Sequence, residues 1–376
     1  MSSLSERTCY LFAGGGTGGH LTPGLAVAAE ILECDPSSRI VFAGSDRPLE
    51  KTMIAGAGYE HHALPVESTR TLRCNPLRFA WRNWRAYRMA NELLEHEQPV
   101  AVIGLGGVAS VPTILAATRQ GRPTVTLESN AIPGRATRFL CRRVGAVCAT
   151  FEGTDKQLPA GTRVVVTGNP VRSAIARLCH DGATGDNLSQ QTLLILGGSQ
   201  GAESLNEAVS EMLSRQLPAL AGWRIVHQTG AGQHELIAQK YAAAGSTYIV
   251  EPFFDDMAAL YKGATLAVSR AGAATLAELA CAGCPAILLP YPHAADNHQL
   301  ANARVYESAG AAIVVEHDRS PSQTASRLSA AVVELSGDAG RLKAMRNAMR
   351  KLARPNAAGN VLAVLQSLTG GNKTEY

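Results

Sequence analysis

The sequence predicts an α/β protein of two doubly wound domains, each a parallel sheet covered by helices on both faces. Three observations predict it. Short β-rich apolar runs alternate with longer helical stretches, and the alternation runs twice along the chain. Each half opens on the same device, an apolar strand followed at once by a glycine turn and a helix. That device is LFAGGGTGG at Leu11–Gly19 and ILGGSQG at Ile195–Gly201. With 376 residues the chain is long enough for two such domains.

In the first half, strands are expected at Cys9–Ala13, Ile40–Ala43, Ala101–Leu105, Thr124–Glu128, Val144–Ala149 and Val164–Val166. In the second they are expected at Leu193–Leu196, Ile225–Gln228, Tyr248–Val250, Leu266–Ser269, Ala286–Leu289 and Ala312–Val315. Gly24–Cys34 has helical spacing, with Leu25, Ala28, Ala29 and Leu32 on its buried face, and Ser204–Leu217 is a second helix. The polar stretch Leu178–Gln191 is expected as a loop beside a domain junction near Gly168–Arg172. Two such domains facing one another leave a cleft at the carboxyl ends of their strands, where open α/β sheets bind ligands. The tail Gly370–Tyr376 is expected to be disordered.

Composition excludes some classes. Hydrophobic residues make up 46% and charged residues 18%, which fits a globular chain and not a disordered one. A net charge of +4 does not call for nucleic acid. Its distribution is uneven, since Arg70–Arg143 holds twelve Arg and no Lys against four Glu. The eight Cys are scattered in apolar runs, and the opening MSSLSER lacks the apolar core of a secretory signal, so a reducing compartment is expected. The CxxC pair Cys281 and Cys284 reads as a helix end, with Gly283 as the stop. Pro99–Thr118 is uncharged and about long enough to span a membrane. Its glycines and internal proline fit a buried strand, a turn and a helix better.

Glycine turns between a parallel strand and a helix expose the first N–H groups of that helix to an anion. Four recur here, each after a strand, at Gly14, Gly104, Gly197 and Gly272. The first is expected to cradle a phosphate or a sugar oxygen. It also matches GxGxxG through Gly14, Gly16 and Gly19, and Asp46 follows the next strand where a dinucleotide fold wants an acid for ribose. A nicotinamide-dependent oxidoreductase is therefore a competing reading. His20 stands where a P-loop lysine would be. A neutral imidazole at a helix entrance suits a general base, and a structural histidine is the alternative.

The second half carries a sharper constellation. Ser269-Arg-Ala-Gly-Ala-Ala-Thr-Leu-Ala-Glu278 runs from strand end into helix. Its turn leaves N–H groups for a pyrophosphate, and the Glu278 carboxylate is placed to accept two ribose hydroxyls. A solvated helix charge is the plain alternative. Pro290-Tyr-Pro-His-Ala-Ala-Asp-Asn-His-Gln299 is a loop dense in groups that read polyols. The spacing of His293, Asp296 and His298 fits no zinc pattern.

Taken together, GGGTGGH (Gly14–His20), GNPVR (Gly168–Arg172), GGSQGA (Gly197–Ala202), Phe253-Phe-Asp-Asp-Met257, SRAGAATLAE (Ser269–Glu278) and DNHQ (Asp296–Gln299) resemble the MurG-type transferases of peptidoglycan synthesis. The motifs fall in order over nearly the whole chain. The resemblance implies a GT-B arrangement of two Rossmann-like domains. It sets an acceptor and membrane-side domain at 7–170, joined by a C-terminal helix at 355–368, and a UDP-sugar donor domain at 171–354. It implies transfer of N-acetylglucosamine from UDP-N-acetylglucosamine to lipid I, with inversion and a β-1,4 bond, giving lipid II. A UDP-sugar epimerase on the same fold is the alternative it leaves.

The resemblance also implies roles. Phe254 presents its backbone to uracil, and Glu278 holds the ribose hydroxyls. Ser199 and the backbone of Ala273, Ala274 and Thr275 meet the phosphates, with Leu276 and Ala277 completing that run. Arg172 lines the donor pocket. Thr17, Gly18, Gly19, Asn130 and Gln299 approach the transferred sugar, and His20 is the candidate base. No metal, cofactor or nucleic acid is implied. The implied place is peripheral, on the cytoplasmic side of the inner membrane, in cell-wall synthesis and so in cell shape and division.

Two motifs depart from the family pattern. His-Glu-Gln-Asn is Leu127-Glu128-Ser129-Asn130 here, and Gly-Gly-Tyr is Gly106-Gly107-Val108. Both bear on how the acceptor is held. The arginines Arg70, Arg73, Arg78, Arg82, Arg85 and Arg88 interleave with Leu77, Phe79, Trp81, Trp84 and Tyr87. That mixture suits an anionic membrane surface. The other reading is an amphipathic helix with Trp81 and Trp84 in the core.

Overall fold

Every strand pairing is parallel among the residues described by the computed structural model, namely 8–180, 190–198, 201–242, 248–318 and 320–370. The side chains of Thr69, Arg70 and Arg73 also lie outside that description. The chain divides into two compact units, Met1–Arg172 with Asn356–Tyr376, and Ser173–Pro355.

The first unit holds β1 (Cys9–Ala13), β2 (Arg39–Gly44), β3 (Glu60–Ala63), β4 (Ala101–Gly104), β5 (Thr124–Glu128), β6 (Ala146–Ala149) and β7 (Val164–Val166). They form one sheet in the order β3-β2-β1-β4-β5-β6-β7. Between them run α1 (Gly18–Cys34), α2 (Pro48–Gly56), α3 (Thr69–Cys74), α4 (Pro76–Glu97), α5 (Val111–Arg119) and α6 (Arg135–Leu140). The second unit begins with the short α7 (Ser173–Ala176). Its sheet holds β8 (Thr192–Leu196), β9 (Arg224–Gln228), β10 (Tyr248–Glu251), β11 (Leu266–Ser269), β12 (Ala286–Leu288) and β13 (Ala312–Val314), ordered β10-β9-β8-β11-β12-β13. Its other helices are α8 (Glu203–Ser214), α9 (His234–Ala242), α10 (Met257–Gly263), α11 (Ala273–Ala282), α12 (His298–Ser308), α13 (Pro321–Ser336) and α14 (Ala339–Leu352). The last helix, α15 (Ala357–Thr369), belongs to the first unit.

Both faces of the first sheet are covered, so successive residues of its central strands are buried. Phe12, Phe42 and Ile103 pack against α1 and α15 through Val27, Ile31, Val361 and Leu365. Leu11, Val41 and Val102 pack on the opposite face against Ala86, Ala90 and Leu94 of α4 and Ile114 of α5. Each of these Phe, Leu, Ile and Val side chains contributes about 1.5–3 kcal/mol on burial. Asn360 of α15 adds a polar tie by donating to the Thr167 carbonyl (3.1 Å).

The second sheet is filled in the same way, by Leu193, Ile195, Ile225, Val268 and Ile287 against α8 and α13. A buried polar link joins its helices to its strands. His227 of β9 bonds Tyr241 Oη through Nδ1 (2.7 Å) and Asn206 Oδ1 through Nε2 (3.1 Å). Burial holds this imidazole neutral, with its pKa pushed down to about 3.

Several expectations need correction. The first helix begins six residues early, at Gly18, and includes Pro23. Its buried stripe is Leu21, Gly24, Val27, Ala28 and Ile31, while Leu25, Ala29 and Leu32 are only partly buried. The helix is apolar nearly all round, so spacing alone could not choose between two stripes. The helix after β8 stops at Ser214, ahead of Pro218. Strand β3 was not expected, because EHHA is polar and lies at the sheet edge. Residues 181–189 of the expected loop and 371–376 of the tail lie outside the described residues.

Pro99–Thr118 forms β4, a glycine turn, a 3-10 turn and α5. Among the described residues no helix is long and apolar enough to cross a membrane. All eight cysteines are free thiols. Gly283 ends α11 in the left-handed region (φ 61°). The Cys284 N–H closes on Leu279 O (2.9 Å) and the Gly283 N–H on Ala280 O (3.0 Å), which completes a Schellman stop.

Candidate active site

In each sheet the strand order reverses at one place, between β1 and β4 in the first and between β8 and β11 in the second. Chains leaving those two strand ends diverge to opposite faces and open a crevice at the carboxyl edge. The four glycine turns of the sequence fall at those strand ends.

In the first unit, Gly14 follows β1 with φ 107°, a value that side-chain-bearing residues rarely adopt. A Cβ there would lie 2.9 Å from Ser110 Cβ and 3.0 Å from Gly106 O, so the turns after β1 and β4 are in contact. Thr17 is the N-cap residue of α1, yet its hydroxyl caps no backbone N–H. It lies instead 3.0 Å from His20 Nδ1. The His20 ring rests on the second turn, where a Cβ on Gly106 would lie 3.4 Å from Cδ2 and one on Gly107 3.5 Å from Cε1. Thr17 and Gly19 are exposed, and Gly18 and His20 half-buried.

One strand further on, Glu128 is buried at the end of β5. Its Oε1 accepts the Asn130 N–H (3.0 Å) and its Oε2 the Gly134 N–H (2.8 Å). This carboxylate therefore shapes the loop that presents Asn130. Beside it, Ser129 Oγ donates to Asn169 Oδ1 (3.2 Å). Leu127 is buried and Val108 half-buried, so two of the three departing residues are apolar, and the third, Ser129, makes this hydrogen bond.

In the second unit, Gly272 precedes α11. The helical ladder first closes with the Leu276 N–H on Gly272 O (3.0 Å), which leaves Ala273, Ala274 and Thr275 as the turn whose N–H groups point outward. Two turns along, Glu278 is 7% exposed and accepts a hydrogen bond from Tyr261 Oη (2.8 Å). Leu276 is buried and Ala277 half-buried. Phe254 is half-buried between β10 and α10. Gln299 Oε1 accepts the Tyr291 N–H (2.9 Å) and so fixes the loop after β12. Asp296 and Asn297 both have positive φ (50° and 53°), which makes the DNHQ segment a sharp entry to α12.

Ser199 lies outside the described residues. Arg172 is exposed at the end of the first unit's main segment. Asp46 is exposed and pairs with Lys51 (2.5 Å), which holds its carboxyl below the usual range. Among the described residues, His293, Asp296 and His298 do not converge. The one group with metal-ligand spacing among the described residues is Glu60, His62 and Glu97, and there Arg39 bridges Glu60 and Glu97.

Sequence reasoning missed Tyr261 and Arg270. Arg270 follows β11 and donates to Ser204 Oγ (2.6 Å) and Leu289 O (3.0 Å), and it also bonds His317 Nε2. It thus ties together the segments after β8, β11, β12 and β13. Burial pulls its pKa down to about 10, and burial with the Arg270 and His293 charges pulls His317 down to about 4, so His317 is a neutral acceptor. Arg270 lies inside the SRAGA motif, the only signal that pointed to it.

Removing one of these bonds has a measurable cost. Tyr261→Phe leaves a buried carboxylate one donor short, and is expected to destabilise the second unit by about 1–3 kcal/mol. A urea titration reads this as a lower midpoint at unchanged slope. An unchanged midpoint would mean that the bond contributes nothing to stability.

Comparison with known proteins agrees with this architecture. Residues 10–149 match the glycosyltransferase family 28 N-terminal domain and residues 192–361 its C-terminal domain. A UDP-N-acetylglucosamine–N-acetylmuramyl-(pentapeptide) pyrophosphoryl-undecaprenol N-acetylglucosamine transferase of Nitratidesulfovibrio vulgaris (strain Miyazaki F) is 40% identical over 95% of this chain and 96% of its own. The crystal structure of Acinetobacter baumannii MurG is similar with a TM-score of 0.76 and 28% identity, over 96% of this chain and 100% of that one. A UDP-N-acetylglucosamine 2-epimerase shares the fold at 14% identity, with a TM-score of 0.67 over 98% of both chains. Two parallel-sheet units with glycine turns at both switch points, and full-length likeness to named transferases, lead to one conclusion: the chain belongs to the MurG transferases of glycosyltransferase family 28.

Proposed function

We propose that this chain transfers N-acetylglucosamine from UDP-N-acetylglucosamine to the lipid-linked N-acetylmuramyl-pentapeptide, with inversion at the anomeric carbon. The observation that carries the reading is the likeness to the transferase relatives along almost the full chain. The epimerase shares only the fold.

The second unit supplies the donor chemistry. The Phe254 backbone meets uracil, and the buried Glu278 carboxylate, steadied by Tyr261, accepts the ribose hydroxyls. The N–H groups of Ala273, Ala274 and Thr275 face the diphosphate. As the glycosidic bond breaks, charge grows on that diphosphate. The positive end of α11 stabilises it more in the transition state than in the ground state. Leu276 and Ala277 hold the helical geometry of that end.

The first unit supplies the acceptor chemistry. The acceptor 4-hydroxyl attacks the anomeric carbon and must lose its proton. In the tautomer whose Nδ1–H donates to Thr17 Oγ1, His20 Nε2 carries the lone pair that takes it. Gly18, Gly19 and Asn130 present amides to the sugar; Gln299, which belongs to the second unit, is given the same role. UDP release from the donor is expected only when a soluble lipid I analogue is present, and together with a disaccharide product. Release at the same rate without acceptor, or a sugar epimer in place of a disaccharide, would contradict the assignment.

We further propose that the first unit rests on an anionic membrane through α4. Leu77, Trp81 and Trp84 are 83%, 58% and 56% exposed, so the tryptophans face outward. The helix buries Ala86, Ala90 and Leu94 instead. Arg85 and Arg88 lie over the Trp81 and Trp84 rings (5.8 and 5.5 Å). Arg78 and Arg82 are paired with Glu67 (3.0 and 3.3 Å) and Arg88 with Glu92 (3.8 Å), and Arg85 and Arg88 are the cations set against the exposed rings. Each basic residue near such a surface contributes about 1 kcal/mol, so Arg85→Glu with Arg88→Glu is expected to weaken vesicle binding about tenfold or more. The probe is vesicles containing phosphatidylglycerol at low salt, and unchanged binding would overturn this part of the proposal.

A further inference from the structure

One fully buried carboxylate is not used by any step above. Glu50 lies in the first turn of α2, where a helix N-terminus favours negative charge, and it is 0% exposed. Its Oε1 accepts the Ser45 N–H (3.0 Å), and its Oε2 accepts the Ser45 hydroxyl (2.5 Å) and the Gly16 N–H (3.0 Å). Gly16 belongs to the turn after β1 that leads into Thr17 and His20. The other side of the same residue is also held, because Arg47 Nη1 donates to Gly16 O (2.9 Å). The segment after β2 therefore grips the Gly16 backbone by its N–H and by its carbonyl.

The neighbouring glycines fit this grip. A Cβ on Gly15 or on Gly44 would collide with the Glu50 carboxylate. These two glycines make room for an internal side chain. The Gly16 N–H, which a bound phosphate would use, already has a carboxylate acceptor. The part of the turn left to a ligand is the stretch Thr17–His20.

We propose that Glu50 and Arg47 are positioning residues that hold the Gly14–His20 turn in its working geometry. This rests on the transferase reading, in which that turn carries the base and meets the sugar. A displaced turn leaves UDP bound by the second unit unaffected and costs the transfer step. Misplacing reacting groups by about 1 Å can cost about a hundredfold in rate.

The test uses the full chain, UDP-N-acetylglucosamine and a soluble lipid I analogue. Arg47 is exposed, so Arg47→Ala is the variant that folds readily. It is expected to lower kcat about tenfold, with the Kd for UDP unchanged within about twofold. Arg47→Lys keeps one donor for the single bond to Gly16 O and is expected to restore most of the rate. Glu50→Gln, which keeps shape but loses an acceptor, is expected to lower kcat by about a hundredfold. Wild-type kcat in Arg47→Ala, or Arg47→Lys as impaired as Arg47→Ala, would overturn the proposal. A second readout needs no catalysis: amide exchange over Gly14–Leu21 is expected to speed up in Arg47→Ala. Unchanged exchange overturns the grip even if the wild-type chain transfers no sugar. Faster exchange with an inactive wild type keeps the grip and rejects the transferase reading.

Discussion

Everything in this molecule is arranged around the unpaired N–H groups at the start of helices that follow parallel strands. Parallel pairing sends each chain back across a face of the sheet, so the carboxyl edge collects helix N-termini. Their donors must meet something. The two units meet that need differently. After β1, the chain's own Glu50 accepts the Gly16 N–H, and the remaining turn carries Thr17 and His20. After β11, the first turn of α11 starts from Gly272 with no capping side chain. One N–H of the first turn is taken from within, and the starts of α1 and α11 both lack a capping side chain.

The parallel architecture was legible because buried strands such as LFA and LLIL are short, apolar and followed by glycine. Twelve strands were located within a few residues of their ends. Strand β3 escaped because an edge strand needs no apolar faces, and Glu60-His-His-Ala63 has none. The start of α1 escaped because Gly18, Gly19 and Pro23 weigh against a helix by propensity, and contact with the turn after β4 overrides that preference.

The site was legible as motifs and not as geometry. Glu278 stood out because an acid two turns into a helix behind a glycine turn has an evident use. Glu50 did not, because an acid in a first turn is ordinary, and nothing local shows that Gly15 and Gly44 open onto it. Arg270 and His317 lie 47 residues apart and meet only in the fold. The Trp81 and Trp84 pair had two readings, and the choice between them depends on Ala86 and Ala90 filling the sheet-facing stripe. The departures at Leu127, Ser129 and Val108 leave the Glu128 anchor of the Asn130 loop intact.

The central claim is that the diphosphate is received by the second unit's turn and not by the GxGxxG turn of the first. Hydrogen exchange measured with and without UDP tests it directly. Protection confined to the second unit, centred on Ala271–Glu278, with Gly14–Leu21 unchanged, is the result predicted. Protection of Gly14–Leu21 by UDP, with Ala271–Glu278 unaffected, would contradict it.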